Sequence, residues 1–207
     1  MLIIKLGGSL YNTKELVLWL NLLTSDQIQQ PIVIVPGGGP FADQVRLAQQ
    51  TLQLDNYNAH HMALLAMAQF GILISALQPQ CKPFYFSKIL PPDPPALSIW
   101  LPDHQLLSQK KIIQNWDFTS DSLALWLAVQ LQASNLLIIK RDPFSARSYS
   151  SSTADSLNKL GILDQSFPEL FNQSRVSTTI MHYQDHAHFT AFLNGCNPVG
   201  INLSRKI

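Results

Sequence analysis

The length and composition of the chain exclude several classes of protein before any motif is considered. With 207 residues, 46% of them hydrophobic, the chain can bury one substantial core, and we predict a single domain over residues 1–207. A formal net charge of +1 with 13% charged residues provides no electrostatic footprint for nucleic acid or an anionic membrane, so small molecules are the favoured partners. With so few charged residues, much apolar surface must be buried, and burial between two copies of the chain predicts a homodimer.

No segment predicts export or a membrane span. A strand-like run follows Met1 directly, without the basic segment, long apolar stretch and cleavage site of a secretion signal. The other apolar stretches are interrupted well short of the ~20 residues needed to cross a bilayer. Cys81 and Cys196 form no CxxC pair, which favours two buried reduced thiols over a zinc ribbon or a redox dithiol. We therefore predict a soluble, cytoplasmic protein.

The first fifty residues predict a strand, helix, strand unit followed by a second helix. Leu2–Leu6 and Pro31–Val35 are rich in Ile, Val and Leu and end abruptly in glycines, as expected for strands buried on both faces of a parallel sheet. Between them, the apolar residues of Thr13–Leu23 predict a helix capped at Asn12 or at Thr13 itself. Pro40–Gln53 continues as the second helix.

The middle of the chain predicts one more helix and then an irregular region. Ala59–Phe70 has a helical pattern that stops at Gly71, and Gly71–Leu77 then has the composition of a short strand. The prolines of Pro79–Pro102 remove backbone donors and exclude a long helix there. We predict a surface excursion with short extended pieces such as Phe84–Phe86.

The second half predicts a buried helix, a buried strand and a sheet edge. Polar residues at 119–121 signal the start of a strongly apolar helix, Leu123–Gln132, and Asn135–Ile139 is the next buried strand. The serine-rich stretch Ser145–Thr153 predicts a mobile loop. The candidate strands of the tail, Thr178–His182 and Pro198–Leu203 around Asn194-Gly195, predict a sheet edge or a hairpin.

The first predicted strand ends in a lysine and a glycine-rich turn, KLGGS. Gly7 and Gly8 allow the backbone to approach an anion, and N–H groups at a helix N-terminus carry roughly half a positive charge. Lys5 adds a full positive charge, and Ser9 ends the turn. A phosphate-binding loop and an ordinary glycine-rich turn both fit this segment alone.

A second glycine-rich turn, PGGGP, follows the strand expected to lie beside the first. Gly37, Gly38 and Gly39 repeat the geometry, so the two loops could hold phosphates from opposite sides, one on a donor and one on an acceptor. Neither loop has the GxxxxGK(S/T) pattern of a P-loop or the GxGxxG of a dinucleotide fold. Two loops after adjacent strands favour a phosphate site over two unrelated turns.

A third feature is the polar segment TSDS at the start of an apolar helix. An ordinary N-cap is the commoner use of such residues, and Thr119 suits that position. The functional alternative is that Asp121 accepts hydrogen bonds from lysines, whose ammonium groups then point at a transferring phosphoryl group.

These three features together resemble the amino-acid kinase family, which includes aspartokinase, acetylglutamate kinase, uridylate kinase and isopentenyl phosphate kinase. KLGGSL, a strand leading into GGGP, and a polar-Asp-small motif before an apolar helix occur in the family's order and approximate spacing. Within the family, PGGGPFADQVR, AHHMALLAMAQFG and WDFTSDSLALWLA most resemble the branch that phosphorylates an aminomethylfuran-methyl phosphate in methanofuran biosynthesis. The resemblance weakens after Ile139.

The resemblance implies a three-layer αβα sandwich with a mainly parallel central sheet, and transfer of the γ-phosphoryl group of Mg²⁺-bound ATP to a small phosphorylated amine. It places Lys5, Gly7, Gly8 and Ser9 at the ATP phosphates and Gly37–Gly39 at the acceptor. Asp121 would orient the lysines. Lys14 follows Lys5 at the separation of two phosphate-contacting lysines in the isopentenyl phosphate kinase branch, which makes it a further candidate.

The chain departs from its relatives at two places. Isopentenyl phosphate kinases have a histidine shortly after the glycine-rich loop, where this chain has Asp43; its carboxylate could pair with a substrate ammonium or simply complement a helix dipole. Arg46, one turn into the same helix, could clamp an acceptor phosphate or belong to a solvated face. After the strand ending at Ile139, KRDP replaces the residues that shape the nucleotide site in many relatives. Lys140 could supply a missing lysine at the γ-phosphate, or the loop could be degenerate.

The histidines offer weaker candidates. Of His60 and His61, one must face the core or a neighbour, and a packed or capping histidine is the expected role. His182, His186 and His188 have a spacing that invites a metal site, but no carboxylate or cysteine cluster accompanies them, so we predict none. Two further functions remain open: a family kinase with another phosphate or carboxylate acceptor, and a non-catalytic nucleotide-binding or scaffold protein with the same fold.

Overall fold

The computed structural model describes residues 1–25, 28, 30–86, 96–141, 151–194 and 200–205. Its eight described strands form one sheet in the order β3-β4-β2-β1-β5-β7-β8-β6, and every neighbouring pair is parallel except β7 with β8. The strands are β1 (Leu2–Leu6), β2 (Ile32–Pro36), β3 (Lys82–Phe84), β4 (Leu97–Trp100), β5 (Asn135–Lys140), β6 (Ser151–Thr153), β7 (Ser177–His182) and β8 (Ile201–Ser204).

Helices cover both faces of the sheet. Because alternate residues of β1 point to opposite faces, Ile3 packs with α4 and α6 while Ile4 packs with α1, and α3 contributes to both cores. The result is the predicted α/β sandwich with a mainly parallel central sheet. The described helices are α1 (Lys14–Leu23), α2 (Gly39–Leu52), α3 (Asn56–Leu77), α4 (Ser120–Gln130), α5 (Ala154–Lys159), α6 (Phe167–Gln173) and α7 (Phe189–Leu193).

The beginning of the chain folds as the sequence predicts. β1 and β2 are fully buried and lie side by side in parallel, and α1 joins them. The side chain of Thr13 accepts a hydrogen bond from the Leu16 amide, so Thr13 is the N-cap of α1. Asn12, the alternative cap, instead adopts a positive φ of 58° just before it. The helix predicted from Pro40 begins one residue earlier, at Gly39.

The predicted helix stop at Gly71 and the strand predicted over Gly71–Leu77 are both wrong. α3 continues through Gly71 to Leu77. A Cβ atom at Gly71 would lie 2.4 Å from Leu101 Cδ2 and 3.3 Å from Pro36 Cγ. This glycine therefore serves close packing between α3 and the sheet, which outweighs its cost inside a helix.

The prediction of a surface excursion over Pro79–Pro102 is also wrong in part. Leu97–Trp100 forms β4, whose four residues are all buried and which pairs in parallel with β2. The short extended piece expected at Phe84–Phe86 is β3, at Lys82–Phe84. The proline-rich residues 91–95 lie outside the described residues.

The second half confirms the buried helix and strand, as α4 and β5. Of the loop predicted over Ser145–Thr153, the last three residues form β6, and the others lie outside the described residues. β7 and β8 pair antiparallel, but helical segments from Asp185 to Leu193 separate them, so no tight hairpin turn joins them. Gly195 and Pro198 lie outside the described residues, as does Cys196, whereas Cys81 is a buried free thiol.

Helix α3 is long and apolar enough to cross a membrane by length and composition alone, and 39% of its most apolar window is buried. Core helices of soluble proteins have the same properties, and the side chains of Phe70 and Ile74 are fully buried against the sheet. The full length of α3 was not predicted, because Gly71 has the composition of a helix stop.

Candidate functional site

The two glycine-rich loops meet backbone to backbone at the carboxyl ends of β1 and β2. A Cβ atom at Gly8 would lie 2.2 Å from the Gly39 amide nitrogen, and one at Gly37 would lie 2.3 Å from that of Gly8. Gly39 has a positive φ of 53°, and a Cβ at Gly38 would lie 2.3 Å from the Cβ of Ala42. Side chains would force the loops apart, so the sequence needs glycine at these positions.

The first loop is also fixed to the neighbouring strand β5. The Gly7 amide donates a hydrogen bond to the Ile139 carbonyl over 3.0 Å, and a Cβ at Gly7 would lie 2.9 Å from the same oxygen. A short 3-10 helix, Gly8–Leu10, follows, and the side chain of Ser9 is exposed. This geometry leaves the loop's outer side free to face a ligand.

A buried carboxylate lies between two lysines beside these loops. Asp121, in the first turn of α4, forms ion pairs with Lys5 Nζ at 2.9 Å through one oxygen and with Lys140 Nζ at 2.6 Å through the other. The lysines come from the adjacent parallel strands β1 and β5. Lys140 Nζ also donates to the Ile162 carbonyl. The structure therefore brings together three of the predicted site residues.

The charges of this cluster perturb one another. Burial alone would raise the pKa of Asp121, but the ammonium groups of Lys140 and Lys5 outweigh it and lower the pKa to about 2. Burial lowers the pKa of Lys5, opposed by Asp121, and the charge of Lys140 lowers it further. At neutral pH the carboxylate is ionised and holds both lysine side chains in place.

A second buried carboxylate, Asp164, positions the start of α4. Its oxygens accept hydrogen bonds from the amides of Thr119 (2.9 Å) and Ser122 (3.0 Å) and from both hydroxyls. Burial, followed by the nearby charge of Asp121, raises the pKa of Asp164. The predicted cap Thr119 occupies the N-cap position, but its hydroxyl is used as a donor to Asp164 and makes no cap bond of its own.

Sequence reasoning missed Asp164 because it lies 45 residues from Thr119 along the chain. The signal in the sequence was the polar TSDS segment, whose four donors require a distant acceptor once the helix is buried.

A cleft of about 380 Å³ opens next to the glycine loops, between α2, α3 and the segment before α4. It brings together many of the residues predicted for the acceptor and for the first loop. Those that line it are Gly8, Ser9, Gly38, Gly39, Asp43, Arg46 and Thr119. Other side chains that line it include Tyr11, His60, Asn115, Trp116 and Phe118, which the sequence did not single out as ligand contacts.

Asp43 and Arg46 pair with each other at the rim of the cleft. Arg46 Nη1 lies 3.1 Å from Asp43 Oδ1, and the guanidinium stands over the Trp116 ring at 4.2 Å from its centroid. Asp43 is the more exposed, with 70% of its side chain accessible. The local ion pair already compensates the Asp43 carboxylate in part.

Lys14 and the candidate histidines lie outside the cluster of Lys5, Asp121 and Lys140. Lys14, the first residue of α1, is exposed and has no ion pair with any described residue. Among the described residues no three His, Cys, Asp or Glu side chains form a metal-binding group, and His182, His186 and His188 therefore belong to none. His186 instead packs edge-on against Trp19. Asp142 and Pro143 of the KRDP segment lie outside the described residues.

Comparison with known proteins agrees with this geometry. No protein-family model matches the chain. A (5-(aminomethyl)furan-3-yl)methyl phosphate kinase of Methanocaldococcus jannaschii is 28% identical over 192 residues, which cover 88% of each chain. The uridylate kinase of Archaeoglobus fulgidus superposes with a TM-score of 0.68 at 16% identity, over 98% of this chain and 99% of that one. The chain is therefore similar in sequence and in fold to kinases of the amino-acid kinase family.

A third similar structure is the aspartate kinase of Synechocystis, with a TM-score of 0.66 and 15% identity. The alignment covers 100% of this chain but 40% of that larger one. The chain therefore has the amino-acid kinase fold, as the sequence predicted. The named relative and these neighbours support a phosphotransferase.

Proposed function

We propose that this amino-acid kinase transfers the γ-phosphoryl group of ATP to a phosphate oxygen of a small phosphorylated amine, with (aminomethylfuranyl)methyl phosphate as the specific acceptor. The observation that carries the proposal is the ion-paired cluster of Lys5, Asp121 and Lys140 beside two glycine loops in backbone contact. The 28% identity to a kinase named for that acceptor supports the choice of substrate.

On the donor side, the transfer requires positive charge and N–H donors. An acceptor phosphate oxygen attacks the γ-phosphorus, the bond to the oxygen bridging the β- and γ-phosphorus atoms breaks, and ADP leaves. Lys5 and Lys140 would neutralise the charge on the transferring group, and Asp121 would hold them in position. Gly7, Gly8 and Ser9 would bind the ATP phosphates.

We propose that Lys14 contacts a phosphate only in the ligand-bound protein, when its exposed side chain turns toward the ligand. Lysine suits this use because its ammonium is a mobile point charge on a flexible stem. Its exposure at the start of α1 makes Lys14→Ala a clean variant, since no described ion pair would be lost. An unchanged KM for ATP in Lys14→Ala would remove this residue from the site.

On the acceptor side, the cleft offers groups of both signs. The acceptor phosphate would be surrounded by Gly38, Gly39 and Thr119, which line the cleft, and by the adjacent Gly37. Arg46 would bind it through its guanidinium. Asp43 would then be released from Arg46 and face the substrate ammonium. The aromatic lining suits a flat furan ring.

The described residues are compatible with a Mg²⁺ ion whose ligands are mainly the phosphates of the nucleotide. Magnesium in kinases is held by substrate phosphates with one or two carboxylates and several waters. Both oxygens of Asp121 face lysines, and no described cluster provides a protein cage. When bound, the ion would neutralise charge on the β- and γ-phosphates.

The test is direct turnover with the purified chain. We expect ADP release from ATP and Mg²⁺ that depends on (aminomethylfuranyl)methyl phosphate, with a diphosphate product detected by phosphorus NMR. Lys5→Ala should lower kcat on the order of 10²-fold or more while leaving the circular dichroism spectrum unchanged. Acceptor-dependent turnover in Lys5→Ala equal to that of the wild type would refute the assignment of the cluster.

The alternatives are outcomes of the same experiment. Turnover with another phosphate or carboxylate acceptor, but not with the amine, would retain the kinase and reject the substrate. Calorimetry that detects no Mg-ATP binding at millimolar concentration would favour a scaffold role. The ion pair of Lys140 with Asp121 adds a second ammonium group beside the glycine loops, which supports the kinase proposal.

The predictions of a single domain over residues 1–207, a homodimer and a cytoplasmic location belong to this proposal. All eight described strands join one sheet, which supports one domain. Several large apolar side chains on α3 are exposed, among them Leu65 and Ile72, which supports self-association. Sedimentation analysis of the full chain would test the homodimer.

A further inference from the structure

His60 has a buried ring nitrogen without a partner at the acceptor cleft. The residue is 5% exposed, and its Nε2 atom has no hydrogen-bond partner among the described residues. Trp100 Nε1 and Thr178 Oγ1 share that lack, but neither residue lines the cleft, whereas His60 does. Buried polar atoms are nearly always satisfied, so an orphan at a binding cleft points to a missing ligand atom.

The surroundings of His60 determine which kind of atom is missing. The ring of His60 donates a hydrogen bond to the backbone of Asn115. Because Nε2 has no partner, the donor of this bond is Nδ1. Burial lowers the pKa of His60, opposed by Asn115, while the neighbouring His61 lowers it further. The neutral ring with its proton on Nδ1 leaves a lone pair on Nε2, which can only accept a hydrogen bond.

No described group that lines the cleft donates a hydrogen bond to Nε2 of His60. Phosphate oxygens are acceptors and cannot satisfy an acceptor nitrogen. Asp43, the carboxylate that lines the cleft, is 70% exposed at the rim and has no hydrogen to donate to the buried Nε2, so an ammonium that faces Asp43 can also donate to His60. A ligand that carries both a phosphate and an N–H donor would therefore use Arg46 and the glycine loops for one end and His60 for the other.

We propose that Nε2 of His60 accepts a hydrogen bond from the ammonium group of the acceptor, and that His60 thereby selects amine-bearing acceptors over amine-free ones. This inference rests on the proposed function for the identity of the acceptor. His60 is a specificity-determining residue here and takes no proton in the transfer.

Two matched substitutions separate this role from a structural one. His60→Asn places its amide near the position of Nδ1 and keeps the contact with Asn115 while deleting the group at Nε2. His60→Gln places its amide near the position of Nε2 and keeps an acceptor there. If His60 only packs and holds Asn115, His60→Asn should be the better tolerated variant. Our proposal predicts the reverse for amine binding.

Binding is measured by calorimetry without nucleotide, on the full chain, with two probes. One is (aminomethylfuranyl)methyl phosphate, and the other carries a methyl group in place of the aminomethyl group. We expect His60→Asn to weaken binding of the amine roughly 10- to 100-fold, as for a hydrogen bond to a charged group, and to leave the methyl analogue unchanged. His60→Gln should bind the amine within about threefold of the wild type.

Equal losses for both probes in His60→Asn would place the histidine at the phosphate end and overturn the proposal, as would no loss for either. Should His60→Asn fail to fold in a thermal melt, nitrogen NMR of the wild type remains decisive. The His60 Nε2 signal should shift on addition of the amine and not of the methyl analogue, and an unmoved signal refutes the contact. Selective amine binding without ATP turnover would retain His60 and reject the proposed kinase reaction.

Discussion

Replacing Asp121 with asparagine removes one negative charge from between two buried lysines while keeping the side-chain shape. Asp121 is 3% exposed, and its two oxygens lie 2.9 and 2.6 Å from the ammonium groups of Lys5 and Lys140. In the variant both ammonium groups lose their anion, and each still repels the other. We therefore expect a loss of both stability and activity.

The pKa of Asp121 gives the size of the stability loss. A fall from its ordinary value of 3.8 to about 2 corresponds to about 2 kcal/mol of folding free energy at ~1.4 kcal/mol for each pKa unit. Removing one partner of a buried ion pair costs ~3–5 kcal/mol, so the expected loss at pH 7 lies between about 2 and 5 kcal/mol. Because the pKa is lowered by folding, this stabilisation is present above pH 3.8 and disappears as the pH falls through about 2.

Raising the pH should relieve part of the loss. Without its carboxylate partner, the pKa of Lys5 should fall further below its ordinary value, so the folded variant releases a proton that the unfolded chain keeps. Stability of Asp121→Asn then rises with pH over the window between the lowered pKa of Lys5 and 10.5. The difference between wild type and variant should be smaller at pH 9 than at pH 7.

The assay combines urea denaturation at several pH values with coupled detection of ADP release. We expect kcat of Asp121→Asn to fall on the order of 10²-fold or more, since the lysines lose their fixed position. Asp185→Asn, on a partly exposed 3-10 helix, is the matched control and should change neither quantity. Turnover within about threefold of the wild type, or equal stability at pH 7, would refute this account of the cluster.

Three further substitutions test other parts of the site. Gly8→Ala introduces a Cβ 2.2 Å from the Gly39 nitrogen, so urea denaturation should show a loss of about 1–3 kcal/mol together with a higher KM for ATP. Asp164→Asn turns an amide NH₂ toward hydrogen-bond donors, which should lower the free energy of unfolding by about 1–3 kcal/mol and also lower kcat. An unchanged free energy of unfolding and kcat would contradict a positioning role for Asp164. Arg46→Ala should raise the KM for the phosphorylated acceptor about tenfold and leave the KM for ATP unchanged, because Arg46 pairs with Asp43 beside Trp116 and makes no ion pair with the described residues of the lysine cluster.

Local sequence patterns predicted the parts of the fold that depend on local physics. β1 and β2 are runs of β-branched and leucine residues buried on both faces, and Thr13 caps α1 because its hydroxyl is near the free amides of the first turn. The glycine loops were predicted because glycine lets a backbone approach an anion closely, and in the structure the same glycines also allow the two loops to touch each other.

Predictions failed where a residue's role depends on a distant contact. Gly71 has the composition of a helix stop, yet it lies inside α3 because Leu101 and Pro36 pack against its Cα. β4 was missed because prolines surround it, although Leu97–Trp100 is itself as apolar as the other strands and is held by β2. No local pattern contains either contact.

The same limit explains why Asp121 could be proposed as the partner of lysines, whereas the role of Lys140 was left undecided. A carboxylate at the start of an apolar helix is a local signal, whereas the lysine that reaches it comes from another strand, and only the parallel register of β1 and β5 brings both lysines to one place. Asp164 is the extreme case, because four of the donors that its carboxylate accepts from, the amides and hydroxyls of Thr119 and Ser122, lie 45 and 42 residues away along the chain.

The assembled cluster has a property that none of its members has alone. Lys5, Asp121 and Lys140 together carry a net charge of +1 in a buried place, and the mutual repulsion of the lysines contributes to the lowered pKa of Lys5. Asp164 adds some attraction, but its oxygens are engaged by the amides and hydroxyls of α4. An uncompensated buried charge costs stability unless a counter-ion completes it. The arrangement is therefore most favourable with an anion bound, and a phosphoryl group between the glycine loops would supply that charge at the point where the loops offer their N–H donors.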